Sequence, residues 1–258
     1  MRLSGSREPL PTDVTALPAL PAEYEAALDA TLAQIDLAPA DDVRHRIGDH
    51  VRLMLAWSEA VNLTAIREPI EVARLHVADS LTAVPILAER AVMRFVDLGS
   101  GAGFPGLPLA IVLGTETLLV ESVGKKARFL EAAVAATRAG DRVRVAATRA
   151  ESLAADTSHR ERWPAVTARA VAELGELVEL AFPLLRQGGI LVAWKRGDIR
   201  PELAAAQRAG DALGGALIEV EDVGAASLPG HRLVIVTKLG PTPPAYPRDP
   251  AARRRRPW

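Results

Sequence analysis

The stretch 95-FVDLGSGAGFPGLPLAIVL-113 sets a short apolar run against three glycines, Gly99, Gly101 and Gly103, and follows them with an apolar segment of helical character. Glycine adopts positive φ and has no Cβ to collide with a ligand. A strand–turn–helix unit of this kind brings backbone amides close to a nucleotide-like molecule.

Downstream of this unit, short β-like runs alternate with helical ones. RFVDLG (94–99) precedes a helix from about 105, and TLLVE (117–121) precedes one over 125–139 with Phe129, Leu130, Ala133 and Val134 on one face. VRVAAT (143–148) follows. AVTARA (165–170) precedes an amphipathic helix carrying Val171, Leu174, Leu177, Val178, Ala181, Phe182 and Leu185, and GILVAW (189–194) precedes a helix over 201–213. Strands joined by helical crossovers run parallel. The last two, ALIEVEDV (216–223) and HRLVIVTK (231–238), are joined only by GAASLPG, which suits an antiparallel hairpin. The expected architecture is a doubly wound α/β fold with a seven-stranded, mainly parallel sheet whose last strand is antiparallel.

Upstream, Val43, Ile47, Val51 and Leu55, with Met54, Trp57 and Val61, recur at helical spacing. A weaker helix near 23–36 and another over 69–89, with Pro69 in its first turn, complete an N-terminal helical lobe. The expected organisation is a disordered proline-rich lead (1–22), the helical lobe (23–90), the sheet domain (91–240) and a disordered basic tail (241–258).

Composition narrows the class. Of 258 residues, 49% are hydrophobic and 24% charged, enough for a folded core, and no apolar run reaches the ~18–20 residues of a membrane span. A soluble cytoplasmic monomer is expected, with no signal peptide. The absence of cysteine excludes disulfides, thiolate zinc sites and a cysteine nucleophile. His45, His50, His76, His159 and His231 show no ligand-like spacing, so no metal site is expected. The net charge of −1 includes four arginines at 253–256, without which it is −5. Nucleic-acid binding would therefore use local patches.

Ligands of a doubly wound sheet bind at the carboxyl ends of its strands. Asp97 and the glycine turn end the first strand. Glu121 ends the second, where a carboxylate can accept both hydroxyls of a ribose. That pairing suits NAD and S-adenosylmethionine alike. Two features favour the latter. The dinucleotide pattern asks for a glycine three residues after Gly101, where this chain has Phe104. Asp97 would repel a pyrophosphate but could hold the cationic methionine end of S-adenosylmethionine, directly or through water. The weaker alternatives are that Asp97 braces the turn and that Glu121 is a solvated strand end.

The chain resembles the bacterial small-subunit ribosomal RNA methyltransferase G family, also called glucose-inhibited division protein B. The resemblance rests on 62-NLTAIREPIEVARLHVADSL-81, 95-FVDLGSGAGFPGLPLAIV-112, 120-VESVGKKARFL-130, 148-TRAES-152, 168-ARAVAEL-174 and 232-RLVIVTK-238. It implies a class I, Rossmann-like, S-adenosylmethionine-dependent fold and methylation of N7 of one guanine in 16S ribosomal RNA. It implies cofactor contacts at Gly99, Phe104, Ala150, Glu151 and Arg169, to which the residue-level reading adds Asp97, Gly101 and Glu121. Arg169 sits in an otherwise apolar strand and needs a partner; Glu151 and Glu173 are candidates. The chain departs from the family at Lys195-Arg196-Gly197, where members place glycine directly after the lysine.

Guanine N7 carries an exposed lone pair, so its methylation requires no general base, and positioning can supply much of the rate. Arg169, Asn62 and His76 are the candidates for guanine or cleft contacts, with His76 equally readable as a structural histidine. Lys125, Lys126, Arg128 and Lys195 are candidate contacts to RNA phosphates, with Arg196, Arg67 and Arg74 nearby; each is equally readable as a solvated surface charge. A small-molecule methyltransferase, a nicotinamide dehydrogenase and a non-catalytic RNA-binding module are the alternatives. The basic cluster at 125–128 disfavours the first, and Phe104 with Asp97 the second.

Overall fold

A computed structural model describes residues 10–258. The elements are α1 (Ala22–Ala33), α2 (Asp41–Ser58), α3 (Pro69–Glu71), a π-helix (Val72–Ala78), α4 (Asp79–Leu81), α5 (Val84–Glu89), β1 (Arg94–Leu98), α6 (Gly106–Leu113), β2 (Glu116–Val120), α7 (Gly124–Ala136) and β3 (Val143–Ala146). They continue with α8 (Ala150–Ala155), β4 (Trp163–Arg169), α9 (Leu174–Ala181), β5 (Leu185–Arg196), α10 (Arg200–Ala212), β6 (Ala216–Asp222), β7 (His231–Lys238) and α11 (Pro250–Arg255).

The seven strands form one sheet in the order β3-β2-β1-β4-β5-β7-β6. All are parallel except β7, which inserts between β5 and β6 and runs antiparallel to both. The doubly wound expectation holds, hairpin included. The insertion of β7 inside β6 was not readable locally, because it depends on long-range pairing rather than on the GAASLPG turn.

The strands alternate between two cores. Phe95, Leu119, Ala165, Ile190, Val192, Leu233 and Ile235 face the side covered by α1, α2, α5, α6 and α7. Val96, Leu98, Val120, Val166, Ala168, Leu191, Val234 and Val236 face α9 and α10. Strands buried on both faces read as near-continuous apolar runs, as these do. β1 lies at the switch point, with β2 and β3 on one side and β4 and β5 on the other.

The N-terminal lobe packs onto the sheet rather than standing apart: Ile47, Val51, Met54 and Trp57 of α2 share a core with Phe129 and Leu130 of α7. The helix expected over 69–89 is divided, with a π-helical turn in its middle and a break after Leu81. Pro85 lies in the first turn of α5, where its missing N–H is harmless.

Both chain ends depart from expectation. Of the lead, residues 1–9 lie outside the described residues. Residues 10–21 are ordered: Trp57 Nε1 donates to Pro11 O (2.7 Å), the Arg52 guanidinium donates to the carbonyls of Val14, Leu17 and Pro18, and Leu10, Val14, Leu17 and Leu20 rest on the core. The tail forms α11 and is held by buried ion pairs. Proline content suggested disorder at both ends, but tertiary contacts satisfy these segments. Among the described residues no helix is long and apolar enough to cross a membrane.

Candidate active site

The carboxyl ends of β1, β2, β3 and β4 meet at one edge. There Gly99 (φ 65°), Gly101 (φ 53°) and Gly103 (φ 88°) turn the chain from β1 toward α6. A Cβ on Gly103 would fall 2.7 Å from His50 Nε2, and one on Gly99 2.7 Å from Val171 Cγ2. At Gly101 nothing but Gly99 O lies within 4 Å, at 3.7 Å, so this glycine leaves an open surface. The helix-packing glycine that Phe104 displaces is found two residues on. A Cβ at Gly106 would come within 2.5 Å of Leu119 and 2.7 Å of Asp97 Oδ2.

Glu121 is buried beside the turn. Its Oε2 accepts from the Gly101 N–H (3.0 Å) and its Oε1 from the Val123 N–H (2.7 Å). Each oxygen keeps a second acceptor position, so the carboxylate can also take hydroxyls. The amides of Ala150 and Glu151 fall in the first turn of α8, where helical partners do not exist. The Glu151 carboxylate is committed elsewhere, to Arg253. An open glycine, first-turn amides without helical partners and a carboxylate with spare acceptors together fit the nucleoside part of S-adenosylmethionine.

Asp97 lies directly beneath the turn. It is fully buried, accepts from Thr167 Oγ1 (2.7 Å) and faces Gly106. Its Oδ1 ties the turn to β4, while its Oδ2 is buried with no hydrogen-bond partner. Burial pushes its carboxyl up to about 6.

A second wall is built from side chains. Phe104 lies between two imidazoles: His50, with ring centroids 4.4 Å apart, and His76, 4.9 Å apart and nearly parallel. The Arg169 guanidinium is 5.8 Å from the Phe104 ring, within cation–π range. Arg169 does not pair with Glu151 or Glu173. It donates to Asp79 Oδ2 (2.7 Å), Leu75 O (3.0 Å) and His76 Nδ1 (3.4 Å). Because the guanidinium can only donate, His76 Nδ1 accepts, and His76 Nε2 carries the proton toward Thr64 Oγ1 (2.8 Å). Asp79 closes the network with His231 Nδ1 (2.8 Å), while Trp194 Nε1 donates to Asp79 O (2.7 Å). Burial, with Arg169 adding to it, lowers His76 to about 3; burial lowers His50 to about 4. Both rings are therefore neutral.

The structure thus brings Phe104, His76 and Arg169 together, and joins Gly101 to Glu121. Asn62 is exposed, two residues before the Thr64 that bonds His76. Lys125 and Arg128 are exposed and Lys126 half-buried at the start of α7, with no ion-pair partner among the described residues. Lys195 is internal instead: its Nζ donates to Glu202 (2.5 Å) and Ala172 O (3.0 Å), and Glu202 also accepts from the Leu174 N–H of α9. Arg67 and Arg74 donate to the backbone carbonyls of Ser58 and Ser227. His50, Asp79 and Thr167 escaped the sequence reading. The signal for Asp79 was present, since a carboxylate beside Val77, Ala78 and Leu81 on a buried helical face requires a cation. Among the described residues no cluster of three or more acidic or histidine side chains could hold a metal.

Comparison with known proteins agrees with this geometry. The family model described as rRNA small subunit methyltransferase G matches residues 44–229. The Ribosomal RNA small subunit methyltransferase G of Chloroflexus aggregans is 45% identical over 211 residues, covering 79% of this chain and 85% of its own. That of Symbiobacterium thermophilum is 37% identical over 231 residues, covering 87% and 94%. Among solved structures, a SAM-dependent O-methyltransferase from Thermotoga maritima superposes with a TM-score of 0.51 at 15% identity, covering 72% of this chain and 71% of that one, which is a likeness of fold. A match spanning the site and most of the chain decides the assignment: this chain belongs to the rRNA small subunit methyltransferase G family.

Proposed function

We propose that the chain transfers a methyl group from S-adenosylmethionine to N7 of a guanine in 16S ribosomal RNA. The observation that carries the reading is the family match over 44–229, which includes the glycine turn and Glu121 at the switch point of the sheet. When bound, S-adenosylmethionine supplies an electrophilic methyl on a cationic sulfur. Because guanine N7 carries an exposed lone pair, no residue of this chain would have to take a proton from the acceptor first.

The protein's task is then positioning. Glu121 and the turn hold the nucleoside, and the Ala150 and Glu151 amides meet the base. Phe104, clamped by two neutral imidazoles, offers a fixed apolar face. The lowered histidines suit that task, because neither gains a charge near neutral pH. Arg169, fixed by Asp79 and His76, presents its guanidinium beside Phe104 without freedom to swing. Asn62, on the exposed loop next to Thr64, lies where a base entering the cleft can be met. Lys125, Lys126 and Arg128 supply local positive charge for RNA phosphates.

The same reading places the protein in the cytoplasm, where the small ribosomal subunit is, and takes it as a monomer. The test is transfer from methyl-labelled S-adenosylmethionine to unmethylated small subunits, naked 16S RNA and a panel of small molecules. Label in RNA supports the reading. Label only in small molecules would replace it with a small-molecule methyltransferase.

A further inference from the structure

The last eighteen residues, 241–258, lie beyond the family match and carry Arg248 and Arg253–Arg256 against a single acid, Asp249. Two of these arginines hold the segment in place. Arg248 grips Glu179, a fully buried carboxylate of α9, through Nη2 (2.6 Å) and Nε (3.0 Å), and its N–H adds a third bond (2.7 Å). Trp258 Nε1 donates to the same carboxylate (2.6 Å), and the Arg248 guanidinium lies 4.5 Å over the Trp258 ring. Asp249 caps α11 by accepting from the Ala251 and Ala252 amides (2.9 Å each). Arg253, 7% exposed, bridges Glu151 of α8 and Glu176 of α9, the latter at 2.9 Å.

Those anchors fix where the segment lies. Glu151 and Glu176 are in the first turns of α8 and α9, and both helices begin at the carboxyl edge of the sheet. Arg253 therefore sets α11 at the rim of the cleft. Three arginine side chains are left with no part in the anchoring, Arg256 contributing only its backbone carbonyl, which accepts from Arg248 Nη1 (2.9 Å). Arg254, Arg255 and Arg256 are exposed and have no carboxylate partner among the described residues; Arg149, also exposed and unpaired, immediately precedes α8. α7, which bears Lys125, Lys126 and Arg128, packs on the opposite face of the sheet from α8 and α9. Two groups of unpaired cations thus flank one catalytic edge from opposite faces.

We propose that the C-terminal segment is a built RNA-contact strap in which Arg254, Arg255 and Arg256, with Arg149, hold phosphates of the substrate RNA on the side of the cleft away from α7. The inference rests on the reading that RNA is the methyl acceptor. Guanidinium groups match phosphate oxygens with two parallel hydrogen bonds, and cations on a docked element lose less freedom on binding than they would on a loose tail.

The test uses the full chain carrying Arg254→Ala, Arg255→Ala and Arg256→Ala together. These side chains are exposed and touch no anchor, so the melting temperature and the Kd for S-adenosylmethionine are expected to match the parent. RNA affinity is read against potassium chloride concentration, and methyl transfer gives KM for RNA separately from kcat. The expected result is a KM for RNA raised by about tenfold with kcat unchanged. The slope of log affinity against log salt is expected to be shallower by about 2, for roughly three lost phosphate contacts at 0.7–0.9 each. The corresponding triple lysine variant is expected to keep the parental slope. An alanine variant with parental slope and KM would overturn the inference, as would a loss confined to kcat. If the parent protein itself fails to methylate RNA, the functional reading fails instead, which separates the two outcomes.

Discussion

The two walls of the cleft are made of different material. On the β1–β2 side the surface is backbone: three glycines at positive φ, first-turn amides, and one carboxylate that ties the turn to the next loop. On the β4 side it is side chain: Phe104 between two imidazoles, with Arg169 held by Asp79, itself bonded to His231 of β7. The first wall is assembled from the ends of three neighbouring parallel strands, with Glu121 tied to the turn across twenty positions. The second needs residues from α2, the π-helix, α4, β4 and β7 to converge, so it depends on the whole fold. Damage to the side-chain wall is therefore expected to appear as lost stability, and damage to the backbone wall as lost cofactor binding.

The largest effect is expected for Arg169→Met, which leaves the nearly buried Asp79 carboxylate without its cation. Removing one partner of such a pair costs about 3 kcal/mol or more. Urea unfolding is expected to show that loss, with a larger proportional loss of transfer activity. Unchanged stability would mean that His231 alone satisfies Asp79 and that the wall is not a unit.

Gly103→Ala sharpens the boundary between the walls, because its Cβ would press on His50 at 2.7 Å from a φ of 88°. Strain of this kind costs of order 1–3 kcal/mol. Gly124→Ala, with nothing within 4 Å, is the control and is expected to stay within about 0.5 kcal/mol of the parent.

Glu121→Gln tests the backbone wall. One of its two amide acceptors becomes a donor, and affinity for S-adenosylmethionine by calorimetry is expected to fall about tenfold, near 1.4 kcal/mol, with little change in melting. Full retained affinity would remove Glu121 from the nucleoside site.

A separate effect is expected in acid. His50 and His76 titrate in the folded protein at about 4 and about 3, against 6.5 ordinarily. Below pH 6.5 the unfolded chain binds protons that the folded chain refuses, so stability falls as pH drops toward 4. Asp97 works the other way: held at about 6 against 3.8, it favours the folded state as pH falls through the same range. Two histidines outweigh one carboxyl, so the net slope is toward instability. Melting curves from pH 7 to 4 are expected to show this, and His76→Gln to flatten it.

The same division explains what the sequence made legible. Seven strands, the crossovers and the glycine turn follow from local patterns in segments such as RFVDLG and HRLVIVTK, and β7 announced itself by a short connection. Glu121 was readable because it ends a strand. Arg169 was readable as a buried cation in want of a partner, but Asp79, ninety positions away, is joined to it only by folding. Asp97 was readable as a carboxylate at the turn, but not how deeply Gly106 lets α6 close over it. Lys195 looked like a phosphate contact and instead caps α9 through Glu202. The proline-rich ends looked loose because composition does not reveal that Glu179 waits for Arg248, or that Trp57 reaches Pro11.

The central claim is that the two walls together place a guanine N7 in line with a transferable methyl group. Methylation at N7 puts a positive charge on the ring and makes that nucleotide open to borohydride reduction and subsequent aniline scission. The direct measurement is to incubate unmethylated small subunits with the protein and S-adenosylmethionine, then treat the extracted 16S RNA in this way. The account predicts one new, cofactor-dependent break at a guanine. Methyl incorporation with no such break, or incorporation at a base other than guanine, would contradict it.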